Sequence, residues 1–190
     1  MKYKIAVIED NPKHLEDVRS LIDQRKDLLD VAYATNLNEA LNLFKSQRYE
    51  GVLSDALFPK EVGGVELPSG IDVIDYAMEN RFPFTIVTST YHHAGKTEPV
   101  NQRSRNSGME LIDNNLPGAE ASTKRWADGL ATLVYLIDLD REGKLKYGIV
   151  KSGGSDSKHI GMIGEDGGIK FSLPPYEENA LDEVKKKLRL

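Results

Sequence analysis

Gly51-Val52-Leu53-Ser54-Asp55-Ala56-Leu57-Phe58-Pro59 reads as a short apolar strand that ends on a single carboxylate, followed by a loop that Pro59 stiffens. A central strand buries both faces and does not easily carry a charge, so an acid is expected where the strand leaves the sheet. In open parallel α/β sheets that carboxyl end is where ligands bind. Asp55 is therefore the first candidate for chemistry, and its weight depends on which other polar groups converge on it.

Upstream, Tyr3-Lys4-Ile5-Ala6-Val7-Ile8 is a β-rich run that ends on two acids, Glu9 and Asp10. Asn11-Pro12 makes a helix start, with Asn as N-cap and Pro at the first helical position. Leu15, Val18, Leu21 and Ile22 then follow at helical spacing. Leu28 to Tyr33 reads as a second strand. Asn36 with Glu39 resembles a capping box, and Leu37, Ala40, Leu41 and Phe44 mark the buried face of the helix it opens.

Downstream, Lys60 to Gly70 is a Gly-rich loop, and the next helix turns Ile71, Ile74, Ala77 and Met78 inward. Phe84-Thr85-Ile86-Val87 is a fourth strand that leads into Thr88. Regular alternation of strand and helix implies right-handed crossovers and a parallel sheet covered on both faces. Tyr91 to Arg105 is polar and weakly periodic, so the fourth helix is expected to be short, irregular or mobile. Met109-Glu110-Leu111-Ile112 is the expected fifth strand. After a loop, Trp126, Leu130, Leu133, Val134 and Ile137 predict an amphipathic helix ending near Asp140.

Residues 1–140 thus read as one doubly wound α/β domain with a five-stranded parallel sheet, and 141–190 as a small α+β extension. Turn signals at Glu142-Gly143 and Asp166-Gly167-Gly168 separate short strands at Leu145–Val150, His159–Ile163 and Ile169–Leu173. A last helix follows Pro174-Pro175, with Leu181, Val184 and Leu188 on one face and Lys185-Lys186-Lys187 at its end, where positive charge complements the helix dipole.

The totals bound the function classes. With 190 residues, 29% charged and 39% hydrophobic, the chain is globular in composition. No apolar run approaches the ~20 residues of a membrane span. The start leads directly into a strand without an apolar signal core, and there is no cysteine, which fits a cytoplasmic location. A net charge of -5 argues against non-specific nucleic-acid binding.

If strands one and three are neighbours, as the sheet order 2-1-3-4-5 requires, Glu9, Asp10 and Asp55 cluster at one edge. Three carboxylates so close repel, so either some hold protons or a cation sits among them. Magnesium suits oxygen ligands and keeps several waters. A carboxylate beside bound magnesium can act as a nucleophile on phosphorus. Thr88, at the end of the neighbouring strand, offers a hydroxyl to one phosphoryl oxygen, and a lysine is expected to hold another.

In these pieces, Ile5 to Asn11, Val52 to Pro59 and Ile86 to Ser89, the chain resembles the receiver domain of two-component response regulators, over roughly residues 3 to 140. The resemblance implies a flavodoxin-like fold and a phosphorylation-dependent signalling domain rather than a conventional enzyme. Asp55 would be the phosphoacceptor, and Glu9 and Asp10 the acidic pair that binds Mg2+, directly or through water. The Leu57 backbone carbonyl would be a further ligand, and Thr88 the switch hydroxyl. The implied partners are a histidine kinase or phosphotransfer protein and an unidentified output protein, with a homodimer open and neither nucleic acid nor membrane involved.

The chain departs from the family in three places. Receivers end strand five on Lys-Pro, whereas Ile112 is followed by Asp113-Asn114. Lys124, before the last receiver helix, could reach the same place, and Lys96 is a second substitute. The aromatic residue usual in strand five is missing. The loops after strand three and around strand five are longer. These departures motivate an alternative: a pseudo-receiver that is not phosphorylated and serves as a protein-interaction module. A magnesium-dependent phosphohydrolase using Asp55 would want a second acid two residues on, where Leu57 stands.

Several residues have plainer readings. His92 and His93 sit in a polar loop and are expected to face solvent. Asp138-Leu139-Asp140 echoes the start of a calcium loop, but its twelfth position is Ile149, so it reads as a helix end and turn. Trp126 fits the buried stripe of its helix.

Overall fold

The computed structural model describes residues 1–89, 95–109, 111–113, 124–151, 158–163 and 178–190. The elements in order are β1 (Tyr3–Ile8), α1 (Pro12–Asp23), β2 (Leu29–Ala34), α2 (Leu37–Ser46), β3 (Gly51–Asp55), α3 (Gly70–Glu79), β4 (Phe84–Val87) and α4 (Glu98–Asn106), then α5 (Trp126–Arg141), β5 (Lys146–Lys151), β6 (Lys158–Ile163) and α6 (Glu178–Leu188). A short 3-10 turn, Gly95–Thr97, leads into α4.

The helix starts follow the local chemistry of the sequence. The Asn11 side chain accepts from the backbone N–H of Lys13 at 3.0 Å and of His14 at 3.4 Å, with Pro12 behind it. The Asn36 side chain accepts from Glu39 N at 3.0 Å. Glu39 reaches back one residue further than a standard capping box, to the backbone N–H of Thr35 at 2.8 Å.

β1 to β4 form one parallel sheet of order β2-β1-β3-β4. Its register decides what meets at the carboxyl edge. Ile8 lies beside Ser54, and Asp55 lies beside Val87. Glu9 therefore leaves β1 next to Asp55, and Thr88 leaves β4 on the other side. Every residue of β3 is buried, as expected for the middle of a sheet covered on both faces.

The expected fifth strand is reduced to one bridge among the described residues. Ile112 N donates to Ile86 O at 2.9 Å, and Thr88 N donates to Ile112 O at 3.0 Å. The Met109 N–H is held by Ser104 O at 3.0 Å, so it caps the end of α4 instead of pairing along β4. The described sheet thus has four strands, with Ile112 marking the fifth position.

The fourth helix is short, as expected, but regular. Residues 98–106 form a regular α-helix, α4, although its sequence is polar. Its buried face is Val100, Asn101 and Ser104, a mostly polar set that leaves hydrophobic periodicity weak. Arg103 Nε donates to Asp75 Oδ1 at 2.6 Å and ties α4 to α3. The remainder of that stretch, 91–94, lies outside the described residues.

Two apolar layers flank the sheet. Phe44, Ile74, Met78, Phe84 and Val100 build one with α2, α3 and α4. Val18, Ile22, Leu130, Leu133 and Ile137 build the other with α1 and α5. Gly129 of α5 lies so close to the sheet that a Cβ there would sit 2.5 Å from Val87 Cγ2 and 2.9 Å from Leu53 Cδ1.

The elements beyond Arg141 rest on both layers. β5 and β6 pair antiparallel, within a residue of the expected boundaries, and Met162 N donates to Ser107 O at 3.0 Å. Leu145 and Met162 join the first layer, Val184 and Leu188 of α6 the second. The strand expected at Ile169–Leu173 lies outside the described residues. Arg25, buried, donates from Nε to Leu188 O and from Nη2 to Arg189 O, each at 2.6 Å, closing the end of α6. A cation on the last carbonyls suits the negative end of the helix dipole.

Candidate functional site

The loops that leave β1, β3 and β4 all end in polar groups turned into one cleft. Glu9 is fully buried, with Oε1 accepting from Asn11 N at 2.9 Å. Asp55 Oδ1 accepts from Ala56 N at 2.7 Å, so the backbone just past the strand orients the carboxylate. Glu9, Asp10 and Asp55 each offer a carboxylate oxygen, and the three lie within 4.8 Å of one another.

Lys124 reaches this set from the approach to α5. Its Nζ lies 2.9 Å from Asp55 Oδ2, contacts Glu9 Oε2 directly, and sits 5.4 Å from the centre of the Trp126 ring. Lys124 itself is 8% exposed, so both ion pairs are shielded from water. Lys96 is exposed on the 3-10 turn and does not line the cleft. Of the two lysines that the sequence offered, the structure brings Lys124 to Asp55.

The cleft, about 110 Å³, is lined by Asp10, Asp55, Leu57, Thr88 and Lys124. Glu66, Ser89, Asn11 and His14 complete it. Thr88 is 2% exposed, and Leu57 half-buried. The β3–α3 loop is held over the site by paired backbone bonds between Phe58 and Leu67, at 3.1 and 3.3 Å, and by Ser69 Oγ donating to Phe58 O at 2.8 Å. Sequence reasoning missed His14. Its signal was helical spacing, one turn after Asp10 on the helix that Asn11 caps.

Burial sets the electrostatics. Asp55 is pushed up to about 7, first by desolvation, with Lys124 pulling the other way and Glu9 adding repulsion. Desolvation also raises Glu9, against the pull of Lys124. Asp10 is raised by desolvation and by the nearby Glu66 carboxylate. With all four groups ionised, three carboxylates and one ammonium leave two negative charges in a low-dielectric cleft. Either protons or a divalent cation relieves that surplus. Hard oxygen donors, and a cleft that admits water, fit a magnesium ion that keeps part of its hydration shell.

Other residues have structural partners. Asp138 accepts from the Tyr3 hydroxyl at 2.8 Å and from Lys187 Nζ at 3.0 Å. α5 ends three residues later, and Gly143 turns the chain at φ +72°. Trp126 is buried in the second layer. His92 and His93 lie outside the described residues. No described helix is long and apolar enough to cross a membrane.

Among solved structures, the chain is similar to the signal receiver domain of an HD domain-containing protein from Pseudomonas fluorescens Pf-5, at 12% identity and a TM-score of 0.55, covering 75% of this chain and 91% of that one. It is also similar to a response regulator receiver domain protein from Clostridium thermocellum, at 18% identity and a TM-score of 0.49, covering 74% and 97%. A third is the receiver domain of the response regulator Ssk1 from Saccharomyces cerevisiae, solved with the histidine phosphotransfer protein Ypd1, at 16% identity and a TM-score of 0.48, covering 73% and 91%. No family model and no curated protein matches the sequence. At 12% identity the first of these likenesses shows the fold: this chain has the α/β fold of signal receiver domains.

Proposed function

We propose that the protein is a phosphoacceptor signalling switch, with residues 1–140 as its receiver-like part and 141–190 as an extension. The observation that carries this reading is Lys124 Nζ at 2.9 Å from Asp55 Oδ2, in a cleft also lined by Asp10 and Thr88, with the buried Glu9 against Lys124. A lysine from outside the usual sequence position thereby stands where an incoming phosphoryl oxygen needs a cation.

A carboxylate oxygen of Asp55 attacks the phosphorus of a phosphohistidine on a histidine kinase or phosphotransfer protein. The N–P bond breaks and its electron pair returns to the donor imidazole. Lys124 exchanges a carboxylate partner for a phosphoryl oxygen, and Thr88 donates its hydroxyl to another. Glu9, Asp10 and Asp55, with the Leu57 carbonyl, would hold a magnesium ion, which would neutralise charge on the transferring oxygens. Output follows from changed protein contacts near Thr88, to a partner or a second copy, in the cytoplasm and without DNA or membrane.

One observation favours the pseudo-receiver alternative: Lys124 pairs with both Glu9 and Asp55, which partly balances the acidic set with no other cation. Intact mass after incubation with acetyl phosphate and Mg2+ separates the two. A single added phosphoryl group that needs Mg2+ and is absent from Asp55→Asn supports the switch. No adduct, together with no binding of beryllofluoride, leaves the interaction module.

A further inference from the structure

His14 lies in the same cleft and has no task in the transfer just described. It is the third residue of α1, 7% exposed. Its Nδ1 is buried without a hydrogen bond, and Asp17 Oδ2 lies 3.9 Å away. Among the described residues no hydrogen bond to Nε2 is found either. A buried ring nitrogen without a partner is costly to maintain, which asks for a reason.

Resting on Asp55 as phosphoacceptor, we propose that His14 is the general base that activates water to hydrolyse the aspartyl phosphate, so that it limits the lifetime of the signal. The cleft of about 110 Å³ opens to solvent and has room for a water beside a phosphoryl group on Asp55. A water placed there meets few proton acceptors of the protein. The Asp10 and Asp55 carboxylates would be taken up by the metal and the phosphoryl group, Lys124 is a donor, and Glu66 stands at the exposed rim. His14 offers a neutral lone pair. Burial and the Lys124 ammonium hold it below the ordinary imidazole range, against Asp55 and Asp17, which pull it up.

The step balances without a further reactant. The water oxygen bonds to phosphorus while the bond from phosphorus to the Asp55 oxygen breaks, and that electron pair restores the carboxylate. The water's proton passes to His14 and from there to solvent, and inorganic phosphate leaves.

The test loads the full chain with acetyl phosphate and Mg2+, removes the donor, and follows loss of the phosphoryl group by intact mass in Mg2+ buffer. His14→Gln keeps the polarity and approximate volume but takes up no proton, and its half-life is expected to lengthen about a hundredfold. His14→Ala is expected to be equally slow and to regain turnover, saturably, when free imidazole is added, a response that a merely structural histidine would not give. Equal half-lives for wild type and His14→Gln, or a His14→Ala protein indifferent to imidazole, overturn the inference. Wild type that loads while both variants fail to load also overturns it, by placing His14 elsewhere than in hydrolysis. Wild type that takes up no phosphoryl group removes the phosphoacceptor reading itself, and this inference with it.

Discussion

Two buried cations sit in different parts of the molecule and meet different partners. Lys124, at the carboxyl edge of the sheet, faces the carboxylates of Glu9 and Asp55. Arg25, beside α6, faces among the described residues the backbone carbonyls of Leu21, Leu188 and Arg189. Arg25 uses its fork of donors on the ends of helices, and nothing around it asks for a further ligand. Lys124 has one ammonium for a set of acids that outnumber it. The difference separates a buried charge that completes a fold from one that leaves a site able to accept something more.

Removing each cation sharpens this contrast. Lys124→Met strands two buried carboxylates and is expected to cost about 3–5 kcal/mol at pH 8, read by urea unfolding without added metal. At pH 5, where Asp55 holds its proton, the cost shrinks. Arg25→Met leaves neutral carbonyls and is expected to cost about 1.5–3 kcal/mol, nearly unchanged between those pH values. Equal pH sensitivity in the two variants would erase the distinction.

Wild type itself carries a pH signature. The folded protein keeps the Asp55 proton up to about 7, whereas the unfolded chain releases it near the ordinary carboxylate value of 3.8. Stability from this group is therefore full at low pH and falls as pH rises through that interval. Asp55→Asn is expected to flatten the slope in a urea midpoint series, and Mg2+ to oppose the fall in wild type only.

Gly129→Ala tests how tightly α5 positions Lys124. Overlap with Val87 and Leu53 is expected to outweigh the gain in helix propensity, for a net loss of about 1–2 kcal/mol by thermal or urea unfolding. The smallest effect belongs to the α5–α6 contact on the Arg25 side. Asp128 meets Lys185 at 2.8 Å and Arg125 at 2.7 Å, and these pull it below its ordinary range against desolvation. Its contribution, about 0.2–1 kcal/mol, is present above that range and lost as pH falls through the folded value. Asp128→Asn should remove it at pH 7, which a comparison of urea midpoints at pH 7 and 3 checks.

Some of the site was legible because its residues end strands. Ile8-Glu9-Asp10 and Leu53-Ser54-Asp55 declare themselves by an apolar run that stops on an acid, and parallel pairing carries both runs to one edge. Lys124 was legible only as one of two lysines, since the residues that lead to it, 114–123, have no periodic pattern to say where they go. The regularity of α4 was hidden for a similar reason: its buried face is mostly polar. The fifth strand misled because Met109, apolar and β-compatible, gives its N–H to the end of a helix.

The sequence by itself determined the alternation of strands and helices, the caps at Asn11 and Asn36, and the acids at the strand ends, because these depend on neighbours a few residues apart. Only the tertiary structure decided which lysine meets Asp55, that His14 shares the cleft, and that Arg25 closes α6. Each of those joins groups from separate elements, and their distances follow from how helices pack on the sheet, which no local pattern encodes.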